Sequence, residues 1–166
     1  MEPNYFFLLP VEIQVMIFDN MDLKTQLDFR QTCTSASKFD ISNFWDANSL
    51  CQPQKLTEGI LRRFPKIKYL NLYDNKMVQN LNFLSRLSVL NIGGFCTMTS
   101  EGIADLRNLR RLYASNNYHL LRLDYKPKLE YVDASGNCGI PPSDLMKLPL
   151  VGIDTRLNEK LVNFKL

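Results

Sequence analysis

A recurrent apolar pattern constrains this chain more than any other feature. Leu-x-x-Leu-x-Leu-x-x-Asn reads out at Ile67, Leu70, Leu72, Asn75; at Leu109, Leu112, Ala114, Asn117; and at Leu129, Val132, Ala134, Asn137. Two weaker copies fill the register: Leu87, Leu90, Ile92 leading to Phe95-Cys96, and Leu150, Ile153, Thr155 leading to Asn158. The first positions, 67, 87, 109, 129 and 150, step by 20, 22, 20 and 21 residues. The spacing has a mechanical reason. A short strand turns alternate apolar side chains inward, and the Asn or Cys after it satisfies backbone groups as the chain turns away. No copy can bury its apolar face by itself, so the copies must stack around one shared core, with parallel strands on the concave side. The steps are shorter than the roughly 24–29 residues of longer repeats, which predicts extended chain or single turns in several convex segments. Tyr125-Lys126-Pro127-Lys128 and Pro141-Pro142 fit that expectation. Leu161, Val162, Phe164 and Leu166 are available to cover the open end of the stack.

The first 46 residues follow a different period. Pro10 suits the first turn of a helix, where its missing N–H costs little, and Glu12 sits where the helix dipole favours an anion. A helix is predicted from about Pro10 to Asn20, with Val11, Ile13, Met16, Ile17, Phe18 and Met21 spread around nearly its whole circumference. Asp22 is placed to cap a second helix running to about Thr32, with Leu23, Leu27 and Arg30 along one side. A short third helix is expected from Thr34 or Ser35 to near Phe39, with Asn43-Phe44-Trp45 closing the segment. Three short helices cannot bury this many apolar side chains among themselves. Two readings follow: a segment that docks on a partner, or a cap packed on the repeats behind it.

The residues Leu9-Pro10-x-Glu12, Ile17-Phe18, Asp22-Leu23, Arg30-x-x-Cys33 and Trp45 resemble an F-box, the segment that joins a substrate receptor to a cullin-RING ubiquitin ligase through a Skp-type adaptor. The tryptophan common a few residues after the cysteine is missing, with Ser37 or Phe39 in that neighbourhood. The resemblance implies that Leu9, Pro10, Ile13, Ile17, Leu23 and Leu27 face the adaptor. The repeats, with Thr99-Ser100-Glu101-Gly102-Ile103 after Cys96 and Leu56-Thr57-Glu58-Gly59-Ile60 after Cys51, look like the cysteine-containing leucine-rich repeats of F-box proteins. The implied fold is α/β: a three-helix F-box over 1–46, a joining segment and degenerate first repeat over 47–66, and about five leucine-rich repeats with a C-terminal cap over 67–166.

In register, the strand residues that flank the inward leucines form columns on the concave face, about 4.8 Å apart. One column reads Tyr69, Val89, Arg111, Tyr131; the next Asn71, Asn91, Tyr113, Asp133, Asp154; a third Tyr73, Gly93, Ser115, Ser135, Arg156. Tyr and Arg are enriched in protein interfaces, so Tyr69, Tyr73, Arg111, Tyr113, Tyr131, Asp133, Asp154 and Arg156 form the candidate target surface. A plain solvated face would also be filled by such residues. Gly93-Gly94 reads either as a bare patch open to a partner or as a bulge. Asp133 and Asp154 would be neighbours, which raises acid-base catalysis; solvated carboxylates neutralised by Arg111 and Arg156 are the favoured reading.

Composition limits the remaining classes. A net charge of +3 on 166 residues, with Lys and Arg spread along the chain, does not call for a polyanion partner. Arg62, Arg63, Lys66, Lys68, Arg107, Arg110 and Arg111 are expected on different faces, so no nucleic-acid role is assigned. The run from Tyr5 to Leu9 meets Pro10 and Glu12 too soon for a signal segment, and no stretch reaches membrane-spanning length. Cys33, Cys51, Cys96 and Cys138 contain no CxxC pair, which argues against a zinc site and for reduced thiols in the cytoplasm or nucleus of a eukaryotic, possibly host, cell. His119 has no Cys or Ser at motif spacing, and no phosphate loop, zinc-helix or serine-hydrolase motif occurs. The expected role is a non-catalytic substrate receptor without cofactor or metal. The alternative is a scaffold that binds or sequesters the adaptor without ubiquitin transfer.

Overall fold

The computed structural model describes residues 5–21, 23–32, 41, 43–44, 53–124 and 126–165. After a 3-10 turn at Tyr5–Leu8 come helices α1 (Val11–Asp19) and α2 (Leu23–Thr32), strand β1 (Asn43–Phe44) and a one-turn helix α3 (Glu58–Leu61). Strands β2 (Tyr69–Asn71), β3 (Val89–Asn91), β4 (Arg111–Tyr113), β5 (Tyr131–Asp133) and β6 (Gly152–Asp154) follow, with α4 (Pro142–Leu145) between the last two. All six strands lie in one parallel sheet in sequential order, as stacked repeats require. The middle residue of each of β2 to β5 points inward and is buried: Leu70, Leu90, Leu112 and Val132. Among the described residues no helix is long and apolar enough to cross a membrane.

The sheet begins earlier than the repeat pattern predicts. Asn43 pairs with Tyr69 and Phe44 with Leu70, so the end of the helical segment supplies an edge strand. No repeat signal announces it, because two residues carry no periodicity. The third helix near Phe39, the Asp22 cap, Cys33, Trp45, Cys51, Tyr125 and Leu166 lie outside the described residues. At the far end Leu161 is buried and Phe164 packs on the core, but Val162 faces solvent rather than covering the stack.

The turns after the strands alternate between two kinds. Asn75, Cys96, Asn117, Cys138 and Asn158 are buried there, spaced 21, 21, 21 and 20 residues apart. Asn137, expected in the buried position of its copy, is exposed; the adjoining Cys138 occupies that position. Each Asn side chain works in both directions. Asn117 donates Nδ2–H to the carbonyls of Ile92 (3.0 Å) and Met98 (3.3 Å) in the preceding repeat, and its Oδ1 accepts from the N–H of His119 (3.0 Å). Asn75 and Asn158 repeat this, reaching Leu56 and Ala134 respectively. The Cys turns carry one additional residue, Phe95 or Asn137.

Backbone conformation explains that insertion. In the Asn turns the preceding residue, Asp74, Asn116 or Leu157, has φ near +60°; in the Cys turns Gly94 (φ +70°) and Gly136 (φ +61°) take this role one place earlier. Asp74 Oδ1 accepts from the N–H of Phe95 at 2.7 Å, and Asn116 Oδ1 from that of Asn137 at 3.0 Å. A Cβ on Gly94 would lie 2.0 Å from Asp74 Oδ1, and one on Gly136 2.2 Å from Asn116 Oδ1. Glycine is therefore required twice over, for its left-handed backbone and for the close approach of the side chain before it. Short helical turns follow both Cys turns, at Glu101–Ile103 and α4; among the described residues no helix follows the Asn turns at Asn75 and Asn117, while the last, at Asn158, leads into a 3-10 turn at Glu159–Leu161. The structural unit is a pair of repeats.

The helices join the same core. Phe18 is buried with Ile41 and the repeat leucines, and Met21, Leu27 and Phe29 pack against them. Phe29 contacts Phe18 and Phe6 at ring-centroid distances of 6.1 and 4.9 Å. Gln26 of α2, itself buried, donates to the carbonyls of Phe18 (2.9 Å), which also accepts from the N–H of Met21, and of Met21 (3.1 Å), tying α2 to the end of α1. The Arg30 guanidinium lies 5.8 Å from the Phe64 ring, tying α2 to the solenoid.

Burial also gives the protein a signature at alkaline pH. It pushes the thiols of Cys96 and Cys138 up to about 11 from an unfolded value of 9.0. Between pH 9 and 11 the unfolded chain gives up protons that the native state keeps, so stability is intact below pH 9 and falls as pH rises. The loss is roughly 2 kcal/mol per thiol by pH 11. Lys126 acts oppositely: its stem is buried, its Nζ donates to the Ala104 carbonyl at 2.7 Å, and burial lowers its pKa. Its contribution therefore rises with pH up to the unfolded lysine value. Thermal melts from pH 7.5 to 10.5 are expected to show a shallower alkaline decline in Cys96→Ala and Cys138→Ala than in the wild type. Equal slopes would contradict the assignment.

Candidate functional site

At the amino-terminal end an apolar stripe is left on the surface. Pro10 breaks the 3-10 turn from α1, and Gln14 Nε2 donates to the Leu9 carbonyl at 2.6 Å, fixing the entry of the helix. Leu9, Ile13 and Met16 then fall at helical spacing on one side, with fractional exposures of 39%, 38% and 54%. Leu8 and Val11 flank them and are more exposed still. Pro10 and Glu12 are also at the surface. Ile17 is half-buried, and Leu27 is half-buried against the core, at the margin of the stripe. The side chain of Leu23 lies outside the described set. Leu8, Val11 and Met16 extend the surface beyond the residues singled out above; their apolar character was visible, but their outward direction depends on which side Phe18 buries.

The concave columns have the predicted register. Tyr69, Val89, Arg111, Tyr131 and Gly152 are successive partners, and so are Asn71, Asn91, Tyr113, Asp133 and Asp154. Tyr69, Tyr73, Arg111 and Arg156 are exposed, while Tyr113, Tyr131, Asp133 and Asp154 are half-buried. The second column is largely structural. Oδ1 of Asn71, Asn91, Asp133 and Asp154 each accepts from the N–H two residues on, at 3.0, 2.9, 3.0 and 3.0 Å. Asp133 Oδ1 also accepts from Ser135 Oγ at 2.6 Å, and Ser135 Oγ lies 2.9 Å from Ser115 Oγ. The Arg156 guanidinium grips Asp154, with Nη2 2.6 Å from Oδ2, and this bond holds the carboxyl below its ordinary range. Both carboxylates are thus occupied with their own turns.

Two expectations about this face are corrected. The Gly93-Gly94 patch is covered: both glycines are buried, and a Cβ on Gly94 would lie 3.0 Å from Cζ of Tyr73, whose ring lies over them. The missing side chains make room for a neighbour's ring, not for a partner. Arg111 does not neutralise Asp133; it makes no ion pair among the described residues. With Tyr113, Glu130, Tyr131, Val151 and Gly152 it lines a depression of about 380 Å³. The rings of Tyr113 and Tyr131 lie 5.6 Å apart, and the Tyr131 hydroxyl is pushed up in pKa by partial burial and then by Asp133 and Asp154.

Two of the basic residues near the strand starts come into register when the strands stack. The N–H of Ser88 donates to the carbonyl of Lys68, that of Arg110 to Ser88, that of Glu130 to Arg110 and that of Val151 to Glu130. Lys68 and Arg110 therefore stand at equivalent places on one edge, beside exposed Lys66 and Arg111. Lys128 Nζ donates to Asn108 Oδ1 at 2.7 Å on the same edge. Repeats of equal pitch return the same position to the same place, which wide separation in sequence conceals.

Comparison with known proteins bears on the amino-terminal end. The family model for the F-box domain matches residues 6–46, the segment that includes the exposed stripe on α1. No curated protein and no solved structure matches the chain.

Proposed function

We propose that this chain is a non-catalytic substrate receptor of an SCF-type ubiquitin ligase. The F-box domain matched over residues 6–46 supports adaptor binding, and the observation that carries the reading is the exposed stripe Leu9, Ile13 and Met16 within it. An apolar helix face of this size in water fits a groove on another subunit. The sheet behind it, read as leucine-rich repeats over about 67–166 after a joining segment at 47–66, presents Tyr69, Tyr73, Arg111, Tyr113, Tyr131 and Arg156 to a protein target. Its mechanism is proximity: the helices bind the Skp-type adaptor, the sheet holds the target, and transfer chemistry proceeds on other subunits in the cytoplasm or nucleus. No cofactor enters.

The arrangement of Asp133 and Asp154 supports the non-catalytic part of the reading, since each carboxylate accepts from its own turn and Asp154 is held by Arg156. Reconstitution with adaptor, cullin, RING subunit and ubiquitin-charging enzymes tests the proposal in full. A protein that co-purifies through the sheet is expected to acquire ubiquitin only when this chain is present. Stable assembly with adaptor and cullin, with no ubiquitin reaching any captured protein, would favour the sequestering scaffold.

A further inference from the structure

The geometry points to an acidic segment of the target, followed by an apolar residue, as what the sheet binds; the inference rests on the receptor reading above. Three cations stand at the starts of adjacent strands: Lys68 before β2, Arg86 before β3 and Arg111 opening β4. All three are exposed, and none makes an ion pair among the described residues. The acid in the same ladder, Glu130, is already held by Arg110. The carboxylates of the face lie toward the strand ends, at Asp133 and Asp154, and both are engaged there. The sheet is therefore polarised, with uncompensated positive charge along its starting edge. Beside Arg111 the depression offers the Tyr113 and Tyr131 rings, Val151 with 83% of its surface exposed, and Gly152 as floor, since a Cβ there would come 3.2 Å from Tyr131. An acidic side chain at Arg111 with an apolar one over Gly152 satisfies both halves of the site.

A polynucleotide fits less well. The three cations span two strand spacings, about 10 Å, and even with Lys128 before β5 the basic run ends there, since Lys147 ahead of β6 is held by Asp144. A short peptide needs only one or two acids at the basic edge.

Selection of a displayed random dodecapeptide library on the full chain, followed by binding of the synthesised peptides, tests this. Selected peptides are expected to carry Asp or Glu within a few residues of an aromatic or aliphatic side chain. Their affinity should fall about tenfold or more in Arg111→Glu, fall in Lys68→Glu, and weaken with salt. Both changes are at exposed positions, and unchanged melting temperatures would show that the fold is retained. Selection without acidic enrichment, or acidic peptides indifferent to both reversals but lost in Tyr131→Ala, would overturn the acidic segment and leave the receptor face standing. Peptides indifferent to all three substitutions would remove the receptor reading as well. Dodecauridylate binding tighter than every selected peptide would replace the proposal with an RNA site.

Discussion

Replacing Leu9, Pro10 and Ile13 together with alanine is expected to abolish binding to a Skp-type adaptor, with affinity falling at least about a hundredfold. Buried anchors of a helix-in-groove contact each cost about 1–4 kcal/mol on truncation, and each 1.4 kcal/mol is a factor of ten. Three neighbouring anchors exceed two such factors even when their effects overlap. The same side chains do little for the fold, because Leu9 and Ile13 keep more than a third of their surface in water and Pro10 is exposed. Unfolding of the triple variant should therefore differ little from wild type. Phe18→Ala gives the opposite control: it empties a buried site in the core shared by helices and repeats, at about 3–5 kcal/mol, and loses binding only through loss of structure. Titration calorimetry with purified adaptor, beside thermal melts of both variants, separates the two outcomes. Wild-type affinity in the triple variant would refute the assignment of the stripe.

The repeat register was legible because each copy must bury the same positions. Leu70, Leu90, Leu112 and Val132 are aligned as the pattern requires, and the columns flanking them follow automatically. Side-chain direction on α1 was not legible in the same way. Val11, Ile13, Met16, Ile17 and Phe18 cover so much of its circumference that periodicity does not choose which side meets the core. That choice is made with α2, whose Phe29 packs against the inward Phe18 ring while Gln26 bonds the Phe18 carbonyl. The misplacement of Asn137 has another origin. An Asn at the expected spacing outweighed the adjoining Cys138, although Gly136-Asn137-Cys138 repeats the order of Gly94-Phe95-Cys96. The pair of glycines, one double repeat apart, was the available signal for an inserted residue. The basic character of the sheet's starting edge was hidden for a related reason: Lys68, Arg86 and Arg111 are unremarkable in linear order and come to the starts of neighbouring strands only when the repeats stack.

Asn117→Ala is expected to destabilise the chain by about 3 kcal/mol, whereas Asn137→Ala should change stability by no more than about 0.5 kcal/mol. The linear pattern treats these two asparagines as equivalent, and the structure does not. Removing the Asn117 amide deprives the Ile92 and Met98 carbonyls of its donor bonds, and the N–H of His119 of its acceptor, all around a side chain with no solvent exposure. A buried group left unpaired costs about 1–3 kcal/mol, and local relaxation recovers part of the sum. Asn137 is exposed, and its recorded bond is made by its backbone N–H to Asn116 Oδ1, which alanine at 137 retains. For a chain of this length 1 kcal/mol corresponds to about 2–4 °C, so Asn117→Ala should melt roughly 6–12 °C lower and Asn137→Ala within about 2 °C of wild type. Equal losses at both positions would mean that the turns after β4 and β5 are of one kind, and the alternation of Asn and Cys turns would have to be abandoned. A large loss at Asn117 with none at Asn137 is what a buried Asn turn after β4 and a Cys turn with an inserted exposed residue after β5 require.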